Sequence, residues 1–186
     1  MDLKKIIPDT YEKSVYDINY VKLYDSGIKC AIFDVDCTIL PFDDINISDR
    51  LIRLFDLIKE IGITPGLCSS GSVNRVKPVG ETLKVKYISN AKKPFYGDFP
   101  LVKHGLFGSE CEPSNTMMIG DSFYLDMLFA ARLGFYKVMV DAVEGGYRIK
   151  SLANSAIQTS IYLLLPRNEF MYGKYYCTDI NILGFT

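Results

Sequence analysis

The sequence predicts a doubly wound α/β domain built on a parallel sheet, and three observations support this prediction. Short apolar runs that are typical of buried strands alternate along the chain with segments of helical periodicity. Polar residues suited to ligand chemistry follow directly after several of the strand-like runs. The chain has 186 residues, of which 48% are hydrophobic and 23% charged, which is sufficient for one hydrophobic core.

The first part of the pattern predicts a strand, a helix and a second strand. The first clear strand covers residues 28–33. Ser48 is a typical N-cap for the helix that follows, and Gly62 is a typical residue to end it. The apolar face of this helix consists of Leu51, Leu54, Phe55 and Ile58. The second strand covers residues 63–68, although Pro65 weakens this assignment because proline cannot donate a hydrogen bond to a neighbouring strand.

The alternation continues to the end of the predicted sheet. In chain order the further elements are a helix over 72–83, a third strand over 85–88, a weakly helical segment over 99–107, a fourth strand over 116–119, a helix over 125–133 ended by Gly134, and a fifth strand over 136–140. A last helix is predicted over 151–165. We therefore assign residues 1–165 to one domain.

The remaining residues, 166–186, form a C-terminal tail without clear periodicity. Its apolar and aromatic residues include Phe170, Met171, Tyr172, Tyr175 and Tyr176. Aromatic side chains suit a packed surface, a partner surface or lipid headgroups. We expect the tail to pack on the domain.

Composition and charge exclude several classes of function. A formal net charge of -1 gives no reason to expect a nucleic-acid partner. No apolar stretch approaches the roughly 20 residues that a membrane-spanning helix needs. The first residues lack the long apolar segment of a signal peptide. We expect a cytoplasmic protein, with peripheral contact to a membrane still allowed and the oligomeric state open.

The cysteines and the single histidine do not indicate a metal centre. The five cysteines are odd in number and form no Cys-x-x-Cys pair, so neither a disulfide framework nor a zinc site is predicted. Cys30 and Cys68 lie in apolar runs and are expected to be small core residues. His104 has no neighbouring cysteine or histidine and is expected to be an ordinary loop or helix residue.

The acidic segment after the first predicted strand is the strongest functional signal. Because a strand projects alternate side chains to the same side, Asp34 and Asp36 can face one point at its end. Two carboxylates in one place are unfavourable unless a cation or a catalytic task holds them together. A nucleophilic carboxylate beside a carboxyl acid and Mg²⁺ is suited to phosphoryl transfer through an aspartyl-phosphate.

Further polar residues follow the other predicted strands and would meet at the same edge of the sheet. Ser69 and Ser70 follow the second strand, Lys93 lies in the loop after the third, and Asp121 follows the fourth. Hydroxyl groups can hold phosphoryl oxygens, a lysine can offset their charge, and a further carboxylate can hold Mg²⁺. Singly, each has an ordinary interpretation as a turn residue, a surface charge or a helix cap. Their shared position at strand ends favours one site.

These residues together resemble the four motifs of the haloacid dehalogenase (HAD) superfamily. The motifs are Asp34-Val35-Asp36-Cys37-Thr38, Ser69, Lys93, and Gly120-Asp121 followed by Asp126. A closer resemblance, to the YqeG-type HAD subfamily IIIA, is carried by Ile6-Ile7-Pro8-Asp9-Thr10-Tyr11, Gly27-Ile28-Lys29, Arg75-Val76 and Ala91-Lys92-Lys93-Pro94. That group includes the phosphatidylglycerophosphate phosphatases of mitochondria and photosynthetic cells. The resemblance covers about residues 3–150.

The resemblance implies a role for each residue. Asp34 is expected to be the nucleophile and Asp36 the general acid and base. Phosphate is expected to be bound by Thr38, which also supports the aspartate loop, and by Ser69, Ser70 and Lys93. Mg²⁺ is expected to be held by Asp34, Asp121 and the backbone carbonyl of Asp36. Asp126 is expected in the outer shell of the metal, or as an acid favoured by a helix dipole.

Two positions depart from the family pattern. Relatives usually carry Asn or Gly where Cys37 stands, and Asn where Ser70 stands. A thiol at position 37 suggests sensitivity to oxidation, which is a hypothesis. The loss of an amide at position 70 puts substrate specificity in doubt more than catalysis.

The intervals from Thr38 to Ser69 and from Ser69 to Lys93 leave no room for a cap domain. An uncapped site suits a bulky or membrane-presented phosphate. We therefore predict a Mg²⁺-dependent phosphomonoester hydrolase, with a lipid phosphate such as phosphatidylglycerophosphate as the first candidate substrate. The alternatives are a nucleotide, sugar or protein phosphate, or a catalytically idle HAD-like binding module. A receiver domain is disfavoured because Lys93 precedes Asp121 in the chain.

Overall fold

A parallel sheet of six strands forms the centre of the protein. The computed structural model describes residues 3–42, 44–108 and 111–143. The strands are β1 (Thr10–Glu12), β2 (Cys30–Phe33), β3 (Thr64–Cys68), β4 (Lys86–Ile88), β5 (Thr116–Gly120) and β6 (Tyr136–Val140). Their order across the sheet is β1-β6-β5-β2-β3-β4, and all neighbours are parallel. This confirms the predicted α/β fold.

Helices cover both faces of the sheet. They are α1 (Tyr20–Asp25), α2 (Asp49–Ile61), α3 (Val73–Leu83), α4 (Phe99–Leu106) and α5 (Leu128–Leu133), with short 3-10 turns at Leu3–Ile6 and Pro113–Asn115. Ala31 and Phe33 of β2 belong to the core beneath α1, α2 and α3. Cys30 and Ile32 belong to the core beneath α4 and α5. A strand that buries both sets of alternating side chains is typical of a doubly wound sheet.

Helix α2 forms as the sequence predicts. The Ser48 hydroxyl accepts a hydrogen bond from the backbone N–H of Leu51, and Gly62 ends the helix with a φ of 99°. The predicted apolar face is fully buried in the core. A side chain at position 62 would be strained, because a positive φ favours glycine.

Pro65 is accommodated in β3 because of where the neighbouring strand begins. The N–H of Thr64 donates to the Lys29 carbonyl on the β2 side, so position 65 faces the β4 side. Strand β4 starts level with Gly66, and therefore no ladder hydrogen bond is lost at Pro65.

Two elements of the structure were not predicted, and two predicted segments lie outside the described residues. Strand β1 and helix α1 were not among the predicted elements, because three and six residues are too few to show a period. The predicted last helix, residues 151–165, and the tail, residues 166–186, lie outside the described residues.

The cysteine prediction is wrong at one pair. Cys30 and Cys111 are joined by a disulfide, with their Cα atoms 6.0 Å apart and a separation of 81 positions in sequence. Both residues are buried. Contact between residues so far apart depends on the tertiary fold, which the spacing of cysteines does not reveal. Cys68 is a buried free thiol, as expected.

None of the helices in the described part of the chain combines the length and the apolar character needed to cross a membrane.

The two serine N-caps allow a test of the capping interaction in α2. Replacing Ser48 by Ala removes the acceptor of the Leu51 N–H and is expected to lower the free energy of unfolding by about 1 kcal/mol. Ser72 precedes α3 without a side-chain capping bond, so Ser72→Ala is the matched control and should change stability much less. Urea unfolding measures both. Equal losses in the two variants would contradict the assignment of the cap.

Candidate active site

The carboxyl ends of the central strands bring the predicted site residues to one edge of the sheet. Asp34 directly follows β2, Ser69 follows β3, and Asp121 follows β5. Lys93 lies in the segment between β4 and α4. In parallel sheets this edge is where ligands bind.

Three carboxyl groups meet in the interior of the site. Oxygens of Asp34, Asp121 and Asp126 all lie within 4.8 Å of one another. Burial raises the pKa of Asp34 to about 7, with the charge of Asp126 adding to the rise and Lys93 opposing it. Burial, followed by the charges of Asp126 and Asp34, raises the pKa of Asp121 to about 8. The raised pKa values indicate that the cluster favours additional positive charge, either a proton or a cation.

Lys93 bridges two of these carboxylates. Its ammonium Nζ lies 2.8 Å from Asp34 Oδ1 and 2.6 Å from Asp126 Oδ1, and its side chain is 1% exposed. Burial alone would lower the pKa of Lys93, but Asp126 and Asp34 hold it well above its ordinary value. Lys93 is therefore charged. The hydrogen bond of the ammonium is directed to Asp126, and Asp34 Oδ1 receives no well-aligned hydrogen bond.

Asp126 belongs to this buried cluster because of an irregular turn. A π-helical turn, Phe123–Met127, precedes α5 and contains Asp126, whose side chain is fully buried. Its Oδ2 accepts a hydrogen bond from the Ser122 N–H at 3.1 Å. From the sequence, Asp126 is expected either in the outer shell of the metal or as an acidic residue favoured by the dipole of a helix. A regular helical period cannot show where a residue in a π-helical turn points.

The loop after Asp34 is closed by backbone hydrogen bonds and one side chain. The N–H groups of Thr38, Ile39 and Leu40 all donate to the Val35 carbonyl. The Thr38 hydroxyl donates to Asp121 Oδ1 at 2.9 Å and so ties this loop to the end of β5. Thr38 is therefore placed to support the loop; phosphate binding by Thr38 stays a prediction.

Cys37 has a backbone conformation that explains the residues expected there. Its φ is 65°, in the left-handed region that Gly and Asn adopt most readily. Burial, and then the neighbouring carboxylates Asp121 and Asp36, raise the pKa of the Cys37 thiol to about 12. A protonated thiol is a poor nucleophile, so this environment gives no support to the predicted sensitivity to oxidation.

The two serines after β3 have different partners. Ser69 is buried, and its Oγ accepts a hydrogen bond from the Gly71 N–H at 3.0 Å. The exposed Ser70 donates from Oγ to the Ala91 carbonyl at 2.6 Å, which links β3 to the loop that carries Lys93. Phosphate binding by either serine stays a prediction.

The side chain of Asp36 lies outside the group of three carboxylates. Its Oδ1 accepts a hydrogen bond from Arg75 Nε at 2.8 Å, and its Oδ2 lies 3.5 Å from Ser69 Oγ. The sequence marks Arg75 only as part of a family motif. Its position near the start of α3, shortly after Ser69 and Ser70, is the one signal that places it close to the predicted site. The contribution of the Asp36 carbonyl to a metal site stays a prediction.

Comparison with known proteins finds one relative by sequence and several by fold. The chain is 30% identical over 166 residues to the Bacillus subtilis (strain 168) protein named "Probable phosphatase YqeG", covering 89% of this chain and 95% of the relative. The cobalt-bound deoxy-D-mannose-octulosonate 8-phosphate phosphatase of Haemophilus influenzae has a TM-score of 0.50 and 19% identity, over 80% of this chain and 98% of that one.

A HAD superfamily (subfamily III A) hydrolase from Legionella pneumophila has a TM-score of 0.46 and 18% identity, over 68% of this chain and 72% of that one. No protein-family model matches the chain. This identity to a phosphatase, in a chain whose parallel sheet carries acidic residues at its carboxyl edge, defines a HAD-type phosphatase. The chain belongs to the YqeG-type phosphatases of HAD subfamily IIIA.

The segments between the strands contain no cap domain within residues 44–108. Only α2 lies between β2 and β3, and only α3 lies between β3 and β4. This agrees with the predicted uncapped fold.

Gly120 is required for the position of Asp126, and this can be tested. A Cβ at position 120 would lie 2.3 Å from Cγ and Oδ2 of Asp126, which Lys93 and the Ser122 N–H hold in place. Gly120→Ala is therefore expected to lower the free energy of unfolding by about 1–3 kcal/mol. Gly108→Ala is the control, because a Cβ there would meet nothing within 4 Å. Equal stability of the two variants in urea would contradict this close packing.

Proposed function

We propose that this protein hydrolyses phosphomonoesters through an aspartyl-phosphate on Asp34, with Mg²⁺ as its cofactor. The observation that carries the proposal is the buried Asp34 carboxylate beside the charged Lys93. Oδ1 of Asp34 is paired with the Lys93 ammonium at 2.8 Å, so Oδ2 is the proposed attacking oxygen. The ammonium would offset the charge of an approaching phosphoryl group.

Two half-reactions follow from this arrangement. In the first, an oxygen of Asp34 bonds to phosphorus, the bond from phosphorus to the ester oxygen breaks, and Asp36 gives a proton to the leaving alcohol. In the second, water attacks phosphorus, Asp36 takes the proton of that water, and the bond to Asp34 breaks. Phosphate leaves and both carboxyl groups return to their starting states.

The acidic cluster fits a hard divalent cation. Carboxylate oxygens are the ligands that Mg²⁺ prefers, and the rise in the pKa values of Asp34 and Asp121 shows that the cluster favours added positive charge. Asp34, Asp121 and the backbone carbonyl of Asp36 are the proposed ligands, with Asp126 beside them. When bound, Mg²⁺ would neutralise phosphoryl oxygens and orient the phosphate.

The rim of the site supports a lipid phosphate as substrate. Four large hydrophobic residues are exposed on segments that follow the catalytic strands: Phe42, Ile45, Val73 and Phe95. Phe95 is 65% exposed and lies two residues after Lys93, and Ile45 is 58% exposed in the segment after the aspartate loop. Exposed apolar residues around an uncapped phosphate site suit a headgroup presented at a membrane. We propose phosphatidylglycerophosphate as the first substrate to test, and peripheral contact with a membrane.

A soluble sugar, nucleotide or protein phosphate is the alternative substrate class. The name of the Haemophilus influenzae neighbour is that of a sugar-phosphate phosphatase, and its likeness to this chain concerns the fold. An idle binding module is disfavoured, since Asp34 and Lys93 form a close ion pair and none of the side chains proposed for catalysis is replaced. A cytoplasmic location stays a prediction.

The proposed chemistry is tested by phosphate release with Asp34→Asn. The amide keeps the volume of the side chain but cannot serve as the nucleophile, so release from p-nitrophenyl phosphate should fall by at least about 1,000-fold. Asp25→Asn, at an exposed position on α1, is the matched control and should retain full activity. Persistence of Mg²⁺-dependent turnover in Asp34→Asn would contradict the proposal.

The same pair of variants identifies the substrate class. Phosphatidylglycerophosphate in mixed micelles is compared with glucose 6-phosphate, a nucleoside monophosphate and a phosphopeptide. Preference for the lipid by kcat/KM, abolished in Asp34→Asn, supports the lipid assignment. A kcat/KM on a soluble substrate that equals or exceeds the value for the lipid would contradict the lipid assignment.

Mg²⁺ binding is tested without any substrate. A cation held between buried carboxylates is expected to stabilise the folded protein by about 2.7 kcal/mol at a concentration 100 times its dissociation constant. This corresponds to a rise in Tm of roughly 5–10 °C for a chain of this size. Asp121→Asn removes a ligand while its amide oxygen can still accept the Thr38 hydrogen bond, so the rise should become much smaller. An equal rise in both proteins would place the cation elsewhere.

A further inference from the structure

Arg75 connects the side chain of Asp36 to the segment that follows the aspartate loop. Its Nε donates to Asp36 Oδ1 at 2.8 Å, its Nη2 donates to the Pro41 carbonyl at 2.6 Å, and its Nη1 donates to the Asp44 carbonyl. The side chain of Arg75 is only 14% exposed. All three nitrogen atoms of the guanidinium therefore bond to protein groups.

The planar guanidinium fixes the Asp36 side chain and the backbone at Pro41 and Asp44 relative to α3. Its N–H groups point in set directions, so three hydrogen bonds to three positions define the place of each partner. The other oxygen of Asp36 has a partner as well, because Oδ2 lies 3.5 Å from the Ser69 hydroxyl. Asp36 is thus held on both sides.

Building on the proposed function, we propose that Arg75 is a positioning residue for hydrolysis of the aspartyl-phosphate. Arg75 holds the Asp36 carboxylate where it accepts a proton from the attacking water. In this step the water oxygen bonds to phosphorus, its proton passes to Asp36, and the bond from phosphorus to Asp34 breaks. Inorganic phosphate leaves, and the electron pair of the broken bond restores the Asp34 carboxylate.

The position of Asp36 matters most in this half of the reaction when the leaving group is a good one. Such a group departs with little help from an acid, whereas water has to lose a proton as it attacks phosphorus, so a base must be held at a fixed place. Arg75 itself makes its contacts with protein groups, so its effect on substrate passes through Asp36. Loss of Arg75 is therefore expected to change kcat more than KM.

Pre-steady-state kinetics with p-nitrophenyl phosphate test the proposal. This leaving group departs without much help from an acid, so phosphorylation of Asp34 stays fast when Asp36 is misplaced. Arg75→Met should release about one p-nitrophenolate per site in a burst and then turn over at least about tenfold more slowly than wild type. Arg75→Lys keeps the charge but cannot make the three directed bonds, and a smaller reduction is expected.

Arg53→Met is the control, because Arg53 is exposed on α2 and should be replaced without kinetic effect. Thermal unfolding is measured for all variants, and Arg75→Lys provides the kinetic test if Arg75→Met does not fold. Slower turnover without a burst, or unchanged turnover, would overturn the role of Arg75 in the second half of the reaction. Turnover that persists in Asp34→Asn would instead overturn the proposed function, and this inference with it.

Discussion

The ion pairs of Lys93 are the interaction on which the rest of the site depends. Three carboxyl groups within 4.8 Å of one another, two of them buried, would repel strongly without a cation between them. The Lys93 ammonium contacts both buried members and is itself almost completely shielded from water. Removing one partner of such a buried pair typically costs about 3–5 kcal/mol. In the proposed reaction the same ammonium would offset the charge of the phosphoryl group, so stability and the proposed chemistry depend on one side chain.

Side chains that cross between loops keep this charge cluster in place. The Thr38 hydroxyl joins the aspartate loop to Asp121, and the Ser70 hydroxyl joins the end of β3 to the loop of Lys93. Arg132 donates to the Pro94 carbonyl, directly after Lys93, and its guanidinium lies over the ring of Phe95. Each bond connects segments that are far apart in sequence, so the loops at this edge of the sheet are tied to one another.

The sequence predicts the elements with strong periods and the residues at strand ends. Helix α2, with its Ser48 cap and Gly62 end, and five of the six strands follow from local patterns. Residues whose positions depend on tertiary contacts do not. The disulfide between Cys30 and Cys111 requires the fold, and the burial of Asp126 requires a π-helical turn. The ion pair of Arg75 with Asp36 also joins two elements, and only its place in a family motif marked it beforehand.

The difference between the interior and the rim of the site bears on its substrate. The interior is charged, closely packed and close to fully buried, so it is suited to hold a phosphoryl group of any origin. Residues 44–108 contain no cap domain, and Phe42, Ile45, Val73 and Phe95 are exposed on the segments that follow β2, β3 and β4. A small soluble ester would gain little from these residues, because it would not reach them all. A phosphate that projects from a membrane would bring apolar surface to the rim together with the reacting group, and selectivity would then come from the rim rather than from the catalytic cluster.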